Sequence, residues 1–183
     1  YLPSNNLQEA PRITTADPAD RQDSCLNDIV PSNPKKPYDM YKVITTLADD
    51  GRFLEVHQGW ARNMIVGFAR MDGRSVGIVA NQPRILAGVL DSDASRKAAR
   101  FVRFCDAFNI PVLTLTNVNG YKATIEEEKT IAKAVAKLTY AFANSTVPKV
   151  NVIVGSAYGN AYTVMNSKSV GCDMVFAWPS ALV

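Results

Sequence analysis

The fold is decided by residues 64–80, which read MIVGFARMDGRSVGIVA. Two apolar runs, Met64–Arg70 and Ser75–Ala80, flank the tetrapeptide Met71-Asp72-Gly73-Arg74. Both central residues of an Asp-Gly turn tolerate positive φ, which the tight two-residue turns of β-hairpins require. The stretch therefore predicts two adjacent antiparallel strands.

The segments on either side of this hairpin alternate between helical and strand patterns. Asp39 supplies an N-cap and Gly51 a stop for a helix ahead of the hairpin. The tetrapeptide Thr124-Ile125-Glu126-Glu127 has the capping-box pattern that opens a long helix. Apolar spacing predicts the other elements, which are strands at 53–57, 111–116, 150–154 and 174–178 and helices at 92–108 and 161–167. Strands that alternate with helices after a hairpin predict an α/β fold with largely buried strands.

Residues 1–37 have a different composition from the rest of the chain. Five of the ten prolines lie ahead of Pro37 and exclude long regular elements there: Pro3, Pro11, Pro18, Pro31 and Pro34. We predict an interdomain linker at 1–37 and a folded domain at 38–183. The chain ends just beyond its last predicted strand, so we expect this domain to be incomplete at its C-terminus.

The charge distribution indicates no nucleic-acid partner. The net charge is +3 with a pI near 8.8, and the basic residues form no run interleaved with aromatic residues. Four basic residues of the helix at 92–108 are expected outside its buried stripe, and these are Arg96, Lys97, Arg100 and Arg103. A mildly basic face of this kind can help to hold an anionic ligand.

Cysteine and histidine usage predicts neither a metal site nor a disulfide framework. Cys25, Cys105 and Cys172 are far apart in the sequence, and His57 is the only histidine. Reduced thiols in the cytoplasm are the simplest interpretation. The longest apolar runs have the length of strands, so nothing in the sequence is expected to enter a membrane by itself.

A glycine-containing turn is the most suggestive local feature. Residues 155–162, GSAYGNAY, connect a predicted buried strand to a helix, so their N–H groups should point at one spot near the helix N-terminus. Such a spot suits an anion or a developing oxyanion, although a tight turn also requires glycine for backbone reasons alone. Nucleophile-elbow, Rossmann and phosphate-loop patterns are absent.

Several long motifs carry a resemblance to a known family. They are the segments at 67–83, 97–111, 146–150, 157–162, 165–168 and 177–179, together with Asp17 to Arg21. In this order they resemble the carboxyltransferase subunits of biotin-dependent acyl-CoA carboxylases and decarboxylases. Propionyl-CoA carboxylase beta, methylmalonyl-CoA decarboxylase alpha and transcarboxylase are members of that group. The similarity covers nearly the whole chain.

The resemblance implies a crotonase-like (ClpP/crotonase) fold, in which strand pairs and helices wind as a ββα spiral. Members of this family have two related domains, and six chains commonly form a ring-shaped hexamer. Their active site lies between the first domain of one chain and the second domain of its neighbour. By this comparison, our chain is the interdomain linker and the first part of the second domain.

The resemblance also implies a mechanism and a set of site residues. Carbon dioxide leaves N1 of carboxybiotin, and backbone N–H groups stabilise the charge on the ureido oxygen. The matching turn is Gly159, Asn160 and Ala161. The substrate and biotin pocket maps onto Gly120, Tyr121, Val135, Ala136, Tyr162 and Thr163. The implied ligands are an acyl-CoA and biotin on a separate carrier domain or protein, with no metal.

The sequence departs from the family pattern near these ligands. Asn160 replaces the second glycine of the turn, and Thr163 replaces an aspartate. The usual Pro-Gly-Phe-x-Pro-Gly loop reads NGYKA at 119–123, and the helix motif Arg-x-Gly-Ala-Lys reads KAVAK at 133–137. These changes favour the decarboxylase subunits that associate with membrane complexes over propionyl-CoA carboxylase. Two alternatives stay open, a biotin-independent crotonase-type CoA enzyme and a non-catalytic assembly subunit.

Overall fold

The computed structural model describes residues 1–18, 20–31, 33 and 36–183. Ala19, Ser32, Pro34 and Lys35 lie outside the described residues, and so does the prediction that Pro34 excludes a regular element at its position. In the described part, six strands form one sheet in the sequential order β1-β2-β3-β4-β5-β6. Their bounds are Phe53–Val56, Met64–Met71, Arg74–Asn81, Val112–Val118, Lys149–Ala157 and Met174–Ala177.

The helices of the described part lie between these strands and ahead of them. Their bounds, from α1 to α6, are Leu26–Ile29, Met40–Leu47, Ser92–Ala107, Ile125–Glu128, Ile131–Asn144 and Gly159–Thr163. The predicted α/β fold is confirmed. None of the helices in these ranges has both the length and the apolar character that a membrane span needs.

The hairpin forms as the Asp-Gly turn predicts. Strands β2 and β3 pair antiparallel with Met71 opposite Arg74, and Asp72 and Gly73 adopt φ of 52° and 71°. The remaining pairs from β3 to β6 are parallel, while β1 pairs antiparallel with β2. The sheet is therefore mixed, with its parallel part following the hairpin.

The first helix of the domain begins at its predicted cap but ends earlier than predicted. The Asp39 side chain accepts a hydrogen bond from the Tyr41 N–H. Helix α2 stops at Leu47, and Gly51 lies in a separate 3₁₀ turn with φ of 66°. Gly51 therefore shapes the entry into β1 and does not end the helix.

The predicted single long helix after Thr124 is wrong. Thr124 caps only the one-turn helix α4, and the helical conformation is interrupted at Lys129 and Thr130 before α5 begins. In a capping box, the Glu127 side chain would bond back to the cap; here it accepts from the N–H and the hydroxyl of Ser92 instead. The Ser92 hydroxyl also contacts the Thr130 hydroxyl at 2.8 Å, and this tertiary contact separates the two helices.

The core consists of two clusters of buried apolar side chains, and alternating residues of β2 belong to one cluster or the other. One contains Leu138 and Phe142 of α5 together with buried side chains of α3, and the other contains Val43 and Ile44 of α2. One α3 side chain contradicts the sequence reasoning. Lys97 is 1% exposed, although we expected it outside the buried stripe. Its Nζ reaches the carbonyl oxygens of the β1–β2 connection, which satisfies the buried ammonium group.

The segment predicted as a linker contacts the hairpin. The Ile13 N–H donates to the Gly73 carbonyl over 3.1 Å, and the Arg12 guanidinium pairs with the Asp72 carboxylate at 2.7 Å. A Cβ at Gly73 would overlap the Ile13 backbone. The turn is thus a docking point for the segment as well as a hairpin connection.

Candidate functional site

The glycine-containing turn leaves β5 and opens α6 two residues earlier than predicted. Helix α6 begins at Gly159, which has φ of 58°, and Asn160 follows inside the helix. A Cβ at Gly159 would meet no atom within 4 Å, so its glycine is required for the backbone conformation alone. The positive φ of the turn therefore belongs to Gly159, and not to Asn160, which stands where the family has its second glycine.

Three N–H groups at this turn are available to a ligand. No hydrogen bond joins the N–H groups of Gly159, Asn160 or Ala161 to any of the residues that the structure describes. The turn itself is held at both ends, because Tyr158 N–H donates to the Val118 carbonyl and Val164 N–H donates to the Asn160 carbonyl. Free donors on an anchored turn are the elements of an oxyanion hole.

A shallow depression of about 350 Å³ adjoins the turn. It brings together four of the site residues from the sequence, which are Tyr121, Val135, Asn160 and Thr163. The Tyr121 hydroxyl donates to the Asn160 carbonyl over 3.1 Å and so ties the loop before α4 to α6. None of the side chains around the depression is charged.

The other predicted site residues lie around this depression or away from it. Gly120 precedes Tyr121 and has φ of 137°, which suits glycine. Tyr162 is partly buried against the core, and Ala161 is buried. Ala136 faces a different groove, between α3 and α5, because it is one residue beyond Val135 on the helix.

Both tyrosines at the site keep their protons at neutral pH. Burial raises the pKa of Tyr121. The pKa of Tyr162 is also raised, mainly by burial and to a smaller extent by its electrostatic interaction with Cys172. The Tyr121 hydroxyl therefore acts as a hydrogen-bond donor and not as a base. In the described residues, no group of three or more histidine, cysteine or carboxylate side chains is arranged to hold a metal ion.

A buried amide network holds the turn that follows α6, and the sequence reasoning missed it. The Asn151 amide on β5 donates to the carbonyls of Met165 and Asn166, over 3.0 and 3.1 Å, and its oxygen accepts from the Thr116 hydroxyl. The Asn166 amide donates to the Thr114 hydroxyl over 3.1 Å. Asn151 was detectable in the sequence, because a single amide inside an apolar strand requires buried partners.

A second buried amide explains the other glycine of the motif. The Asn117 side-chain oxygen accepts a hydrogen bond from the Ser156 N–H over 2.7 Å, and the backbone N–H of Asn117 donates to the Asn81 side-chain oxygen. A Cβ at Gly155 would overlap the Asn117 amide oxygen. Gly155 is thus required for close packing, while Gly159 is required for backbone conformation.

Residues 1–183 match the family described as carboxyl transferase domain. The chain belongs to this family. Among curated relatives, the carboxyltransferase subunit of propionyl-CoA carboxylase from Haloferax mediterranei is 50% identical over 182 residues, which are 99% of this chain and 35% of the relative. The alpha subunit of methylmalonyl-CoA decarboxylase from Veillonella parvula is 47% identical over 99% of this chain and 36% of its own length.

Solved structures give the same result for the carboxyl transferase domain. A crystal structure of transcarboxylase 12S, described as a hexamer with bound methylmalonyl-coenzyme A, matches with a TM-score of 0.97 at 45% identity. It is matched over 100% of this chain and 35% of its own. The beta subunit of geranyl-CoA carboxylase from P. aeruginosa matches at 0.82 and 29% identity, over 97% of this chain and 33% of its own. The family resemblance and its crotonase-like fold are therefore confirmed.

The chain spans about a third of the length of the curated relatives that it matches. The relatives named for a carboxylase and for a decarboxylase have nearly equal identities of 50% and 47%. Sequence identity therefore does not favour the decarboxylase subunits.

Proposed function

We propose that this chain forms the biotin-side part of a carboxyltransferase, which moves a carboxyl group between an acyl-CoA thioester and N1 of protein-linked biotin. Residues 1–37 act as the interdomain linker, and residues 38–183 form part of the C-terminal domain. The observation that carries the proposal is the set of free N–H groups at 159–161, beside an uncharged depression in a chain of this family. Relatives named as propionyl-CoA carboxylase subunits support the substrate class.

The residues present fit a neutral bicyclic group such as biotin. The depression is lined by Tyr121, Val135 and Thr163, which offer apolar surface and hydroxyl groups without a charge. The space beside Gly159 is open, so a ligand can approach the backbone closely there. Backbone N–H groups suit a carbonyl oxygen that gains negative charge during reaction.

In the proposed mechanism the chain supplies hydrogen bonds and positioning. Bound on its carrier, biotin provides the nitrogen that holds the carboxyl group. The N–H groups of Gly159, Asn160 and Ala161 would donate hydrogen bonds to the ureido oxygen of bound biotin and stabilise its negative charge. Removal of one such donor typically costs about 2.7–4 kcal/mol of transition-state stabilisation. The Tyr121 hydroxyl holds the Asn160 carbonyl and keeps the turn in place.

The remaining parts of the reaction require other polypeptide segments. We propose that the acyl-CoA binds mainly to the first domain of a neighbouring subunit in a homo-hexamer. A biotin carrier domain delivers biotin to the depression. In the decarboxylase direction, the subunit would join a membrane complex through other subunits. The transcarboxylase 12S structure, a hexamer crystallised with methylmalonyl-coenzyme A, supports the homo-hexamer and the acyl-CoA ligand of this proposal.

The experiment replaces one backbone donor in the complete gene product. Asn160→Pro removes the N–H at the second position of α6, where the first turn of a helix tolerates proline. We expect kcat for biotin-dependent turnover of malonyl- or methylmalonyl-CoA to fall by about 100- to 1,000-fold. Asn160→Ala keeps the N–H and is the matched control, so its kcat should stay within about threefold of wild type.

Circular dichroism checks that both variants fold, and chromatography of the CoA thioesters measures turnover. Equal turnover for the proline variant and the wild type would contradict the role of the turn. Turnover that does not depend on added biotin would favour the crotonase-type enzyme. A folded, assembled wild type without any turnover would favour the assembly subunit.

A further inference from the structure

A basic groove runs between α3 and α5, with a volume of about 980 Å³. From α3 it receives Arg96, Arg100 and Arg103, which are four and three residues apart and therefore share one helix face. From α5 it receives Lys133 and Lys137, one turn apart. At a rise of 1.5 Å per residue, the arginine row is about 10 Å long. Basic residues that are scattered in the sequence are thus gathered into two facing rows.

The two rows are poorly neutralised. No carboxylate lines the groove, and among the described residues Arg96 pairs with Asp93 at 3.1 Å on the exposed face of α3. Like charges three and four residues apart on a helix repel one another and destabilise it. The whole chain has a net charge of only +3, so five cations in one groove are a strong local concentration. An anionic partner would relieve this repulsion.

Aromatic side chains lie at the edges of the basic groove. Trp60, Phe104 and Tyr140 remain 40%, 37% and 60% exposed. Arginine and aromatic residues are the types that are enriched in the centres of protein interfaces. The small side chains of Ala99 and Ala136 line the groove between the rows and leave room for another element of structure.

One wall of the groove is fixed by the buried lysine of α3. Lys97 Nζ donates to the Trp60 carbonyl over 2.8 Å and lies 3.4 Å from the Ala61 carbonyl. The loop that it holds has positive φ at His57 (56°) and at Ala61 (45°). The His57 and Trp60 rings meet edge to face, with centroids 6.2 Å apart. A preformed wall lowers the entropy cost of binding.

We propose that the basic groove is a docking site for an acidic segment of a different protein, and not of a second copy of this chain. Aspartate or glutamate side chains of the segment would face the two rows, and an apolar side chain would pack against Trp60, Phe104 or Tyr140. This proposal does not depend on the proposed carboxyl transfer. A nucleic acid fits less well, because the rows are short and the pI of 8.8 is below the range typical of nucleic-acid-binding domains.

The first test measures binding of a defined probe to the complete gene product. The probe is a fluorescein-labelled 12-residue peptide of Glu, Leu and Trp, and binding is followed by fluorescence anisotropy. The double variant Arg103→Glu/Lys137→Glu should bind about tenfold or more weakly, and the affinity of the wild type should fall with added salt. Arg52→Glu/Arg74→Glu changes two exposed arginines elsewhere and is the matched control, with an expected change of less than about twofold.

The second test identifies the natural occupant in the assembly purified from its source. A carbodiimide couples lysine amines directly to carboxylates in contact, and mass spectrometry locates the products. We expect Lys133 or Lys137 to be joined to an aspartate or glutamate of a different polypeptide. Coupling only to a second copy, coupling only within the same polypeptide, or no coupling would overturn the proposal. So would equal peptide binding by all variants, or tighter binding of a 12-nucleotide single-stranded DNA than of the peptide.

Discussion

Replacement of Asn151 by alanine should loosen the turn that follows α6 and destabilise the chain. Asn151 is fully buried, and its amide takes part in three hydrogen bonds, to the carbonyls of Met165 and Asn166 and from the Thr116 hydroxyl. Each net hydrogen bond contributes about 0.5–1.5 kcal/mol, so their loss amounts to roughly 3 kcal/mol. The vacated volume adds to this cost, since the site cannot collapse fully.

Urea unfolding of the 183-residue chain, followed by fluorescence of Trp60 and Trp178, measures the free energy of unfolding. Thr116→Val removes only the hydroxyl bond to Asn151, and we expect a loss of about 1 kcal/mol. The double variant should lose less than the sum of the two single variants, because both remove the same bond. Asn144→Ala, at an exposed position, is the control and should change stability by less than about 0.5 kcal/mol.

Hydrogen exchange separates the local effect from the global one. In Asn151→Ala, amides at 162–167 should exchange faster than those of β2 and β3, because the hydrogen bonds to Met165 and Asn166 are lost while the hairpin is intact. A stability loss below about 1 kcal/mol would refute the reasoning. An equal loss for Asn151→Ala and Thr116→Val would show that the two carbonyls contribute nothing to stability.

Two further predictions concern groups away from the turn. Burial raises the pKa of Glu127, but the hydrogen bonds from Ser92 outweigh this effect and leave the pKa lowered. The pKa of Glu127 is therefore lower in the folded chain than in the unfolded chain. Its contribution to stability is present above about pH 4.3 and is lost as the pH falls. Glu127→Gln should therefore reduce the free energy of unfolding by about 1–3 kcal/mol at pH 7, and the difference from wild type should shrink in urea titrations below pH 4. Burial raises the pKa of the Cys105 thiol to about 12, whereas Cys25 is exposed, so a thiol reagent at pH 8 should modify Cys25 rapidly and Cys105 only after unfolding. Equal labelling rates for the two thiols would contradict the buried position of Cys105.

Local sequence rules predicted those elements whose conformation depends on neighbouring residues. The Asp72-Gly73 turn needs two residues with positive φ, and the Asp39 cap needs one short polar side chain, so each could be read from a few letters. The buried strands followed from their apolar runs. These local features predict the α/β fold class without any information about the tertiary contacts between the elements.

The errors came from contacts between distant residues. The break before α5 depends on the bond between Glu127 and Ser92, which are 35 residues apart. The burial of Lys97 depends on carbonyl groups 36 and 37 residues away that accept hydrogen bonds from its ammonium group. Neither partner is visible in the local pattern, so a lysine was predicted to be exposed and a capping box to continue into a long helix.

The loss of a family glycine at Asn160 therefore gives no support to a decayed site. A glycine is irreplaceable only where φ is positive or where a Cβ would collide, and here those positions are Gly159 and Gly155 respectively. Asn160 lies inside α6, where an asparagine keeps its N–H and adopts the same φ without strain. The substitution adds a polar side chain to the edge of the depression and leaves the backbone donors unchanged. Its expected consequence is a change in which ligands fit, and not the loss of the oxyanion contacts.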